Sequence, residues 1–181
     1  MNTQYYNIIL SSSVILLLAI LVSALNSEYD KGNNENLGLH GHFVIDAYHS
    51  DGTLFYHTER DNLVVTNGLK GIANLAFNAN SGLSPSTYRY LALGSSSTAV
   101  SASDTALNSE CGYSRQLTSS PTYSSAVITL TGTFTGATCT VNEIGIFDAS
   151  SSGNMFSHAL TGAFTMGSAD TINVTYTITE S

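Results

Sequence analysis

The chain has 181 residues, the length of one domain or of one domain with an appendage. Five Lys and Arg stand against 13 Asp and Glu, a formal net charge of −8, and only 10% of residues are charged. That balance excludes a nucleic-acid binder working through a basic face and a coiled coil built on charged heptads, while 43% apolar content excludes a fully disordered chain. Polarity comes instead from 26 Ser and 21 Thr.

Ile8 to Leu25 carries no charge, and Val14 to Val22 is apolar throughout. Eighteen helical residues span about 27 Å, just short of the roughly 30 Å hydrocarbon core of a bilayer. The segment fits a secretory signal peptide cleaved after Ala24, at Val22-Ser23-Ala24, or a short membrane anchor. A pilin-type helix retained in a filament core is a third reading. Met1 to Asn7 lacks the basic residue that signal peptides and pilin leaders place there. The expected organisation is therefore residues 1–24 as signal peptide or anchor, 25–38 as a flexible polar linker and 39–181 as a β-sandwich domain. All three readings place the domain outside the cytoplasm, extracellular or at the cell surface. Cys111 and Cys139 then become candidates for one disulfide, worth about 3 kcal/mol by loop closure; two buried free thiols are the alternative. Asn173-Val174-Thr175 is a glycosylation sequon inside an expected strand.

Leu37, Leu39, Phe43, Ile45 and Ala47 share one face of a period-two segment, with His40, His42, Asp46 and Tyr48 opposite. Asp51-Gly52 signals a hairpin turn. Leu54 to Tyr56 begins the partner strand, and Leu63 to Val65 reads as a further short strand. The period then changes: Leu69, Ile72, Ala73, Ala76 and Phe77 recur at helical spacing, with Thr66 or Asn67 as cap. Asn78 to Thr87 is loop, Tyr88 to Leu93 strand, and Gly94 to Ser103 a loop of small residues. Strands follow from Ala126 to Phe134, Val141 to Phe147, Asn154 to Leu160 and Thr171 to Thr179. In the last, Ile172, Val174, Tyr176 and Ile178 alternate with Thr and Asn, and solvent-facing Thr favours strand without adding charge. The predicted fold is mainly β: an antiparallel sandwich of Ig-like or jelly-roll type with one short helix.

Candidate chemistry is sparse. His40 and His42 on one strand face, with Asp46 or His57, suggest metal ligands, but no third and fourth ligand is fixed, and no metal is expected. Asp46, Asp51, Glu59 and Asp61 near the hairpin, and Asp104 and Glu110 around a loop, are the oxygen-rich positions where calcium would sit; no cofactor is otherwise expected. Arg89 and Arg115 are the only basic residues after Lys70, so Arg115 is expected to be paired, with Glu110 in a structural ion pair and Glu143 in the same network. Tyr48, Tyr56, Tyr88, Tyr90, Tyr113 and Tyr123 offer rings that stack on sugars or pack in the core. No nucleophile elbow, H-E-x-x-H or phosphate loop occurs, so no catalytic residue and no enzyme activity are expected.

Four segments in order carry a family resemblance: Asn62-Leu63-Val64-Val65-Thr66-Asn67-Gly68-Leu69; Tyr90-Leu91-Ala92-Leu93-Gly94; Ser103-Asp104-Thr105-Ala106-Leu107 with Glu110 and Arg115; and Asn142-Glu143-Ile144-Gly145-Ile146-Phe147-Asp148-Ala149. From about Asn62 to Ser181 the chain resembles phage tail-fibre-like and minor structural proteins. This implies a β-rich structural or receptor-facing module, with Glu110 and Arg115 bracketing the start of a strand. More loosely, the chain is similar to secreted archaeal and bacterial filament subunits, some of which donate an N-terminal strand to the next subunit. Strand 37–48, with Leu39, Phe43, Ile45 and Ala47, is the candidate donor, and pairing within its own domain through the hairpin is the alternative. The first expectation is thus a secreted, self-associating subunit of an extracellular filament or surface assembly. The alternatives are a membrane-anchored or virion-associated adhesin binding a glycan or cell-surface receptor, and a pilin-like subunit. No nucleic-acid partner is expected.

Overall fold

The computed structural model describes residues 38–77, 87–136 and 138–180. The expected leader and nearly all of the linker, and most of the loop 78–87, lie outside these residues. The elements are β1 (Leu39–Tyr48), β2 (Leu54–Val64), α1 (Thr66–Phe77), β3 (Tyr90–Gly94), β4 (Gln116–Leu117), β5 (Thr122–Ser124), β6 (Val127–Thr135), β7 (Cys139–Phe147), β8 (Met155–Met166) and β9 (Thr171–Glu180).

The mainly β class with one short helix is what the structure shows. Where the sequence suggested two separate sheets of an Ig-like or jelly-roll sandwich, the strands form one antiparallel sheet, in the order β4-β3-β7-β8-β2-β1-β9-β6-β5. The hinge is β2. It pairs with β1 over most of its length, then with β8 only at Leu63↔His158 and Val64↔Ser157. The two runs read as separate strands are therefore one strand. Its middle, Glu59-Arg60-Asp61, is exposed, and that charge hides the period from the sequence.

Curling brings the apolar faces of the two halves together. Phe43, Ile45, Ala47, Leu130, Phe134, Ile172, Val174 and Tyr176 from one half share a core with Leu91, Leu93, Val141, Ile144, Ile146, Phe156 and Phe164 from the other. Phe43 stacks on Tyr176 with centroids 4.4 Å apart, and Tyr56 on Phe164 at 4.1 Å. Gly132 admits this closeness, because a Cβ there would stand 2.8 Å from Leu91 Cδ1. The two edges also meet: Ser119 N–H donates to Thr131 O at 2.8 Å, and Thr131 N–H donates to Ser119 Oγ at 3.2 Å.

The β1–β2 hairpin turns as expected at Asp51-Gly52. Gly52 takes φ +85°, and Thr53 N–H donates to Asp51 Oδ1 at 2.9 Å. The helix forms where its spacing predicts, at Thr66–Phe77, and its burial is set largely by glycines. Its buried positions are Gly68, Gly71 and Asn74, while Leu69 is 52% exposed and Ala76 is exposed. The side chain of Phe77 lies outside the described residues. A Cβ on Gly68 would strike Phe156 O, and one on Gly71 the Tyr88 hydroxyl. The helix thus meets β8 at Gly68 and Tyr88 at Gly71, and of the apolar spacing Ile72 packs against the core.

Candidate functional site

The long connection between β3 and β4, residues 95–115, crosses the outer face of β3-β7-β8. The strand sequences prepare that face. In β3 and β7, Leu91, Leu93, Ile144 and Ile146 point into the main core. Tyr90, Ala92 and Gly94 alternate with them and pair with Phe147, Gly145 and Glu143. The small residues leave room for the connection, whose Leu107 enters a second cluster with Val65, Ala92, Phe147 and Met155. A Cβ on Gly145 would stand 3.1 Å from Leu107, and one on Gly94 2.5 Å from Glu143 Oε1.

Glu143 is the polar centre of this face and is fully buried. Its carboxylate accepts main-chain N–H groups from Ser109 at 2.9 Å, Asn108 at 3.2 Å and Ser96 at 3.3 Å. Its Oε2 also lies 2.9 Å from Nε2 of His158, itself fully buried on β8. Nδ1 of the same ring lies 2.8 Å from Asp104 Oδ2, and that oxygen accepts Ser101 N–H at 2.8 Å. The two ring nitrogens of His158 thus each face a carboxylate oxygen. The arrangement fastens the connection to the sheet.

Arg115 makes a second fastening. It binds Glu110 in a fork, Nε to Oε1 at 2.8 Å and Nη2 to Oε2 at 3.1 Å. Nη1 donates to Ala149 O at 3.2 Å and to Ser152 O, and the guanidinium lies 3.6 Å from the Phe147 ring centroid. Asp148 holds the same turn by accepting Asn154 N–H at 2.6 Å and Asn154 Nδ2–H at 2.9 Å. Asn142 Nδ2 donates to Ser95 O at 2.9 Å. The structure joins Cys111 to Cys139 by a disulfide, with Cα atoms 6.1 Å apart. Thr66 N–H donates to Ala102 O at 2.8 Å and Val65 N–H to Phe156 O at 2.9 Å, so all four sequence segments meet around one connection. Glu143, expected in the network of Glu110 and Arg115, holds Ser109 N–H beside Glu110 and has His158 as its side-chain partner. His158 escaped sequence reasoning.

The remaining candidates lie elsewhere. Phe43, Ile45 and Ala47 of β1 are buried and Leu39 partly so, and both edges of β1 are paired within the chain, to β2 and β9. His42 and His57 stand on the outer face of the β1–β2 hairpin: His42 Nδ1 meets Asp61 at 2.9 Å, His57 Nδ1 meets Asp46 at 2.6 Å, and Glu59 lies 3.7 and 3.6 Å from the two rings. The hydrogen bond to Asp46 raises the His57 pKa above its ordinary value. His40 lies on the same face, paired in register with Thr179. No group of three or more His, Cys, Asp or Glu among the described residues is arranged to hold a metal ion. Tyr56 donates to Thr161 O at 2.7 Å, Tyr113 packs edge-on against Phe134, and burial raises the pKa of Tyr88. Tyr123 is 70% exposed. Asn173 is exposed and accepts a hydrogen bond from Thr133 at 2.9 Å. No helix among the described residues is long and apolar enough to cross a membrane.

The family model of podophage GP4 fiber I protein gp80 matches residues 68–179, more than half of the chain, from α1 to β9. No curated protein and no solved structure matches the chain.

Proposed function

We propose, from the premise that the chain belongs to the podophage GP4 fiber I protein gp80 family, that it is a non-enzymatic structural module of a virion fibre. In this reading the curled sheet is a rigid body that assembles with other copies or other fibre proteins. Its fastened end, residues 95–115 and 148–154, faces a partner at the particle surface, a receptor or glycan of the cell. The observation that carries the reading is that the matched stretch contains every member of the fastening: Asp104, Glu110, Cys111, Arg115, Cys139, Glu143 and His158. Binding residues concentrate on long loops held by rigid scaffolds.

A secreted filament subunit donating strand 37–48 has less support. Donation would draw β1 out from between β2 and β9. The sheet's outermost strands have only 2 and 3 residues, and Pro121 stands beside β5; short edges and proline discourage strand addition.

Mass spectrometry of purified particles, with immunogold labelling against the domain, tests the proposal. The expected result is peptides of this chain in the particle and label on its fibres. Label on cell-borne filaments, with none on particles, would overturn it.

A further inference from the structure

The two cysteines of the disulfide are unequally exposed. Cys111 is 8% exposed and belongs to the main core, whereas Cys139 opens β7 and is partly exposed. Each cysteine is also held by contacts other than the bond. Cys111 N–H donates to Leu93 O at 2.8 Å. Just before it, Ser109 N–H is held by Glu143 at 2.9 Å, and just after it Arg115 is held by Glu110 at 2.8 Å. Cys139 is placed opposite Met166 by the β7–β8 ladder. Packing, the ladder and the buried carboxylate therefore hold the two cysteine main chains beside one another alongside the covalent bond.

We infer that the disulfide is a late lock: the domain folds with both thiols reduced, and a small-molecule disulfide then closes the bond, with Cys139 attacking first and Cys111 resolving. The Cys139 thiolate, its proton lost to solvent, attacks one sulfur of the small disulfide. A mixed disulfide forms at Cys139 and one small thiolate leaves. The Cys111 thiolate then attacks the Cys139 sulfur, and the second small thiolate leaves. Two protein thiols become one disulfide while one small disulfide becomes two small thiols, so electrons balance. The reverse order would require a reagent larger than water to reach Cys111 inside the core, and reactivity follows access. The bond ties the return of the 95–115 connection to the start of β7. Its timing alone rests on the virion reading: a chain made in a reducing cytoplasm would stay unlocked there and close outside the cell.

The test uses the full chain, purified reduced and treated with oxidised glutathione in native buffer. Acid-quenched samples of the unaltered protein are mapped by peptide mass spectrometry. The expected mixed disulfide is at Cys139. Cys111→Ser, with Cys111→Ala as a second variant should serine disturb the core, accumulates that adduct, whereas Cys139→Ser reacts about tenfold more slowly because its remaining thiol is buried. In denaturant the rates converge. Adducts first on Cys111, or equal native rates, would overturn the order. A reduced protein lacking the near-ultraviolet circular dichroism of the oxidised form would overturn the late lock. None of these readouts depends on where the protein resides, so a chain absent from particles would remove the timing and leave the chemistry standing.

Discussion

Glu143 Oε2 lies 2.9 Å from His158 Nε2, and neither side chain is reached by solvent. Removing one member of a buried hydrogen-bonded pair leaves the other desolvated and unsatisfied, at about 1–3 kcal/mol. His158→Ala also leaves the carboxylates of Glu143 and Asp104 without the ring that bonds both. It is expected to destabilise the domain by that amount in denaturant titration. Glu143→Ala is expected to cost at least as much, because the N–H groups of Ser96, Asn108 and Ser109 lose their acceptor too. A stability unchanged by either substitution would mean that the ring does not hold the connection.

Arg115 tests geometry rather than charge. Its side chain is 6% exposed, and its fork reaches Glu110 and two carbonyls at once. A lysine keeps the charge and loses the planar fork and the stacking on Phe147. Arg115→Lys is expected to cost about 2 kcal/mol, or about 4–8 °C in Tm for a domain of this size. Glu110→Gln should cost less, because the Glu110 side chain is 35% exposed and solvent screens it. Thermal melts of both variants decide the ranking.

How much of this was legible depends on whether a signal is local. β9 could be read directly, since Ile172, Val174 and Tyr176 are buried and their neighbours are not. Arg115 had to be paired because cations are scarce, and its partner lies five residues back. His158 and Asp104 are 54 residues apart and meet only after β7, β8 and the connection have assembled. β8 is buried at nearly every position of its first half, because α1 and the connection cover its outer face. It therefore shows no alternation in which a functional histidine would stand out. β4 and β5 are too short to carry a period. The helix was legible, but its contact face joins Ile72 to Gly68 and Gly71, and glycines add nothing to apolar spacing.

That glycine face has a consequence of opposite sign to the usual rule. In an exposed helix interior Gly→Ala stabilises by about 1 kcal/mol. At Gly68 the added methyl would meet the main-chain carbonyl of Phe156 on β8, which cannot rotate away. Gly68→Ala is expected to destabilise by about 1–3 kcal/mol through overpacking. Exposed Leu75→Ala, in the same helix and 62% exposed, should change stability by less than about 0.5 kcal/mol. Equilibrium denaturation of the two variants separates a packing face from mere helix propensity, and a stabilised Gly68→Ala would place the helix off β8.

On the opposite surface His57 supplies a pH-dependent contribution. Asp46 Oδ1, 2.6 Å from its Nδ1, is the main cause of its raised pKa, with Glu59 on the other side of the ring adding to it. The folded-state pKa lies above the unfolded one, so the protonated ring binds more tightly in the folded protein. Its contribution is complete below the ordinary value of 6.5 and is lost as pH rises through the higher folded value. The ring is exposed, so solvent and salt screen the effect, and the titration itself is the better measurement. NMR of the His57 ring should show a midpoint above 6.5 that falls toward it in Asp46→Asn. Glu59→Gln should move it less, because Glu59 stands farther away, at 3.6 Å, and is shared with His42. A midpoint that ignores Asp46→Asn and follows Glu59→Gln would assign the ring's principal partner to its own strand instead of to β1.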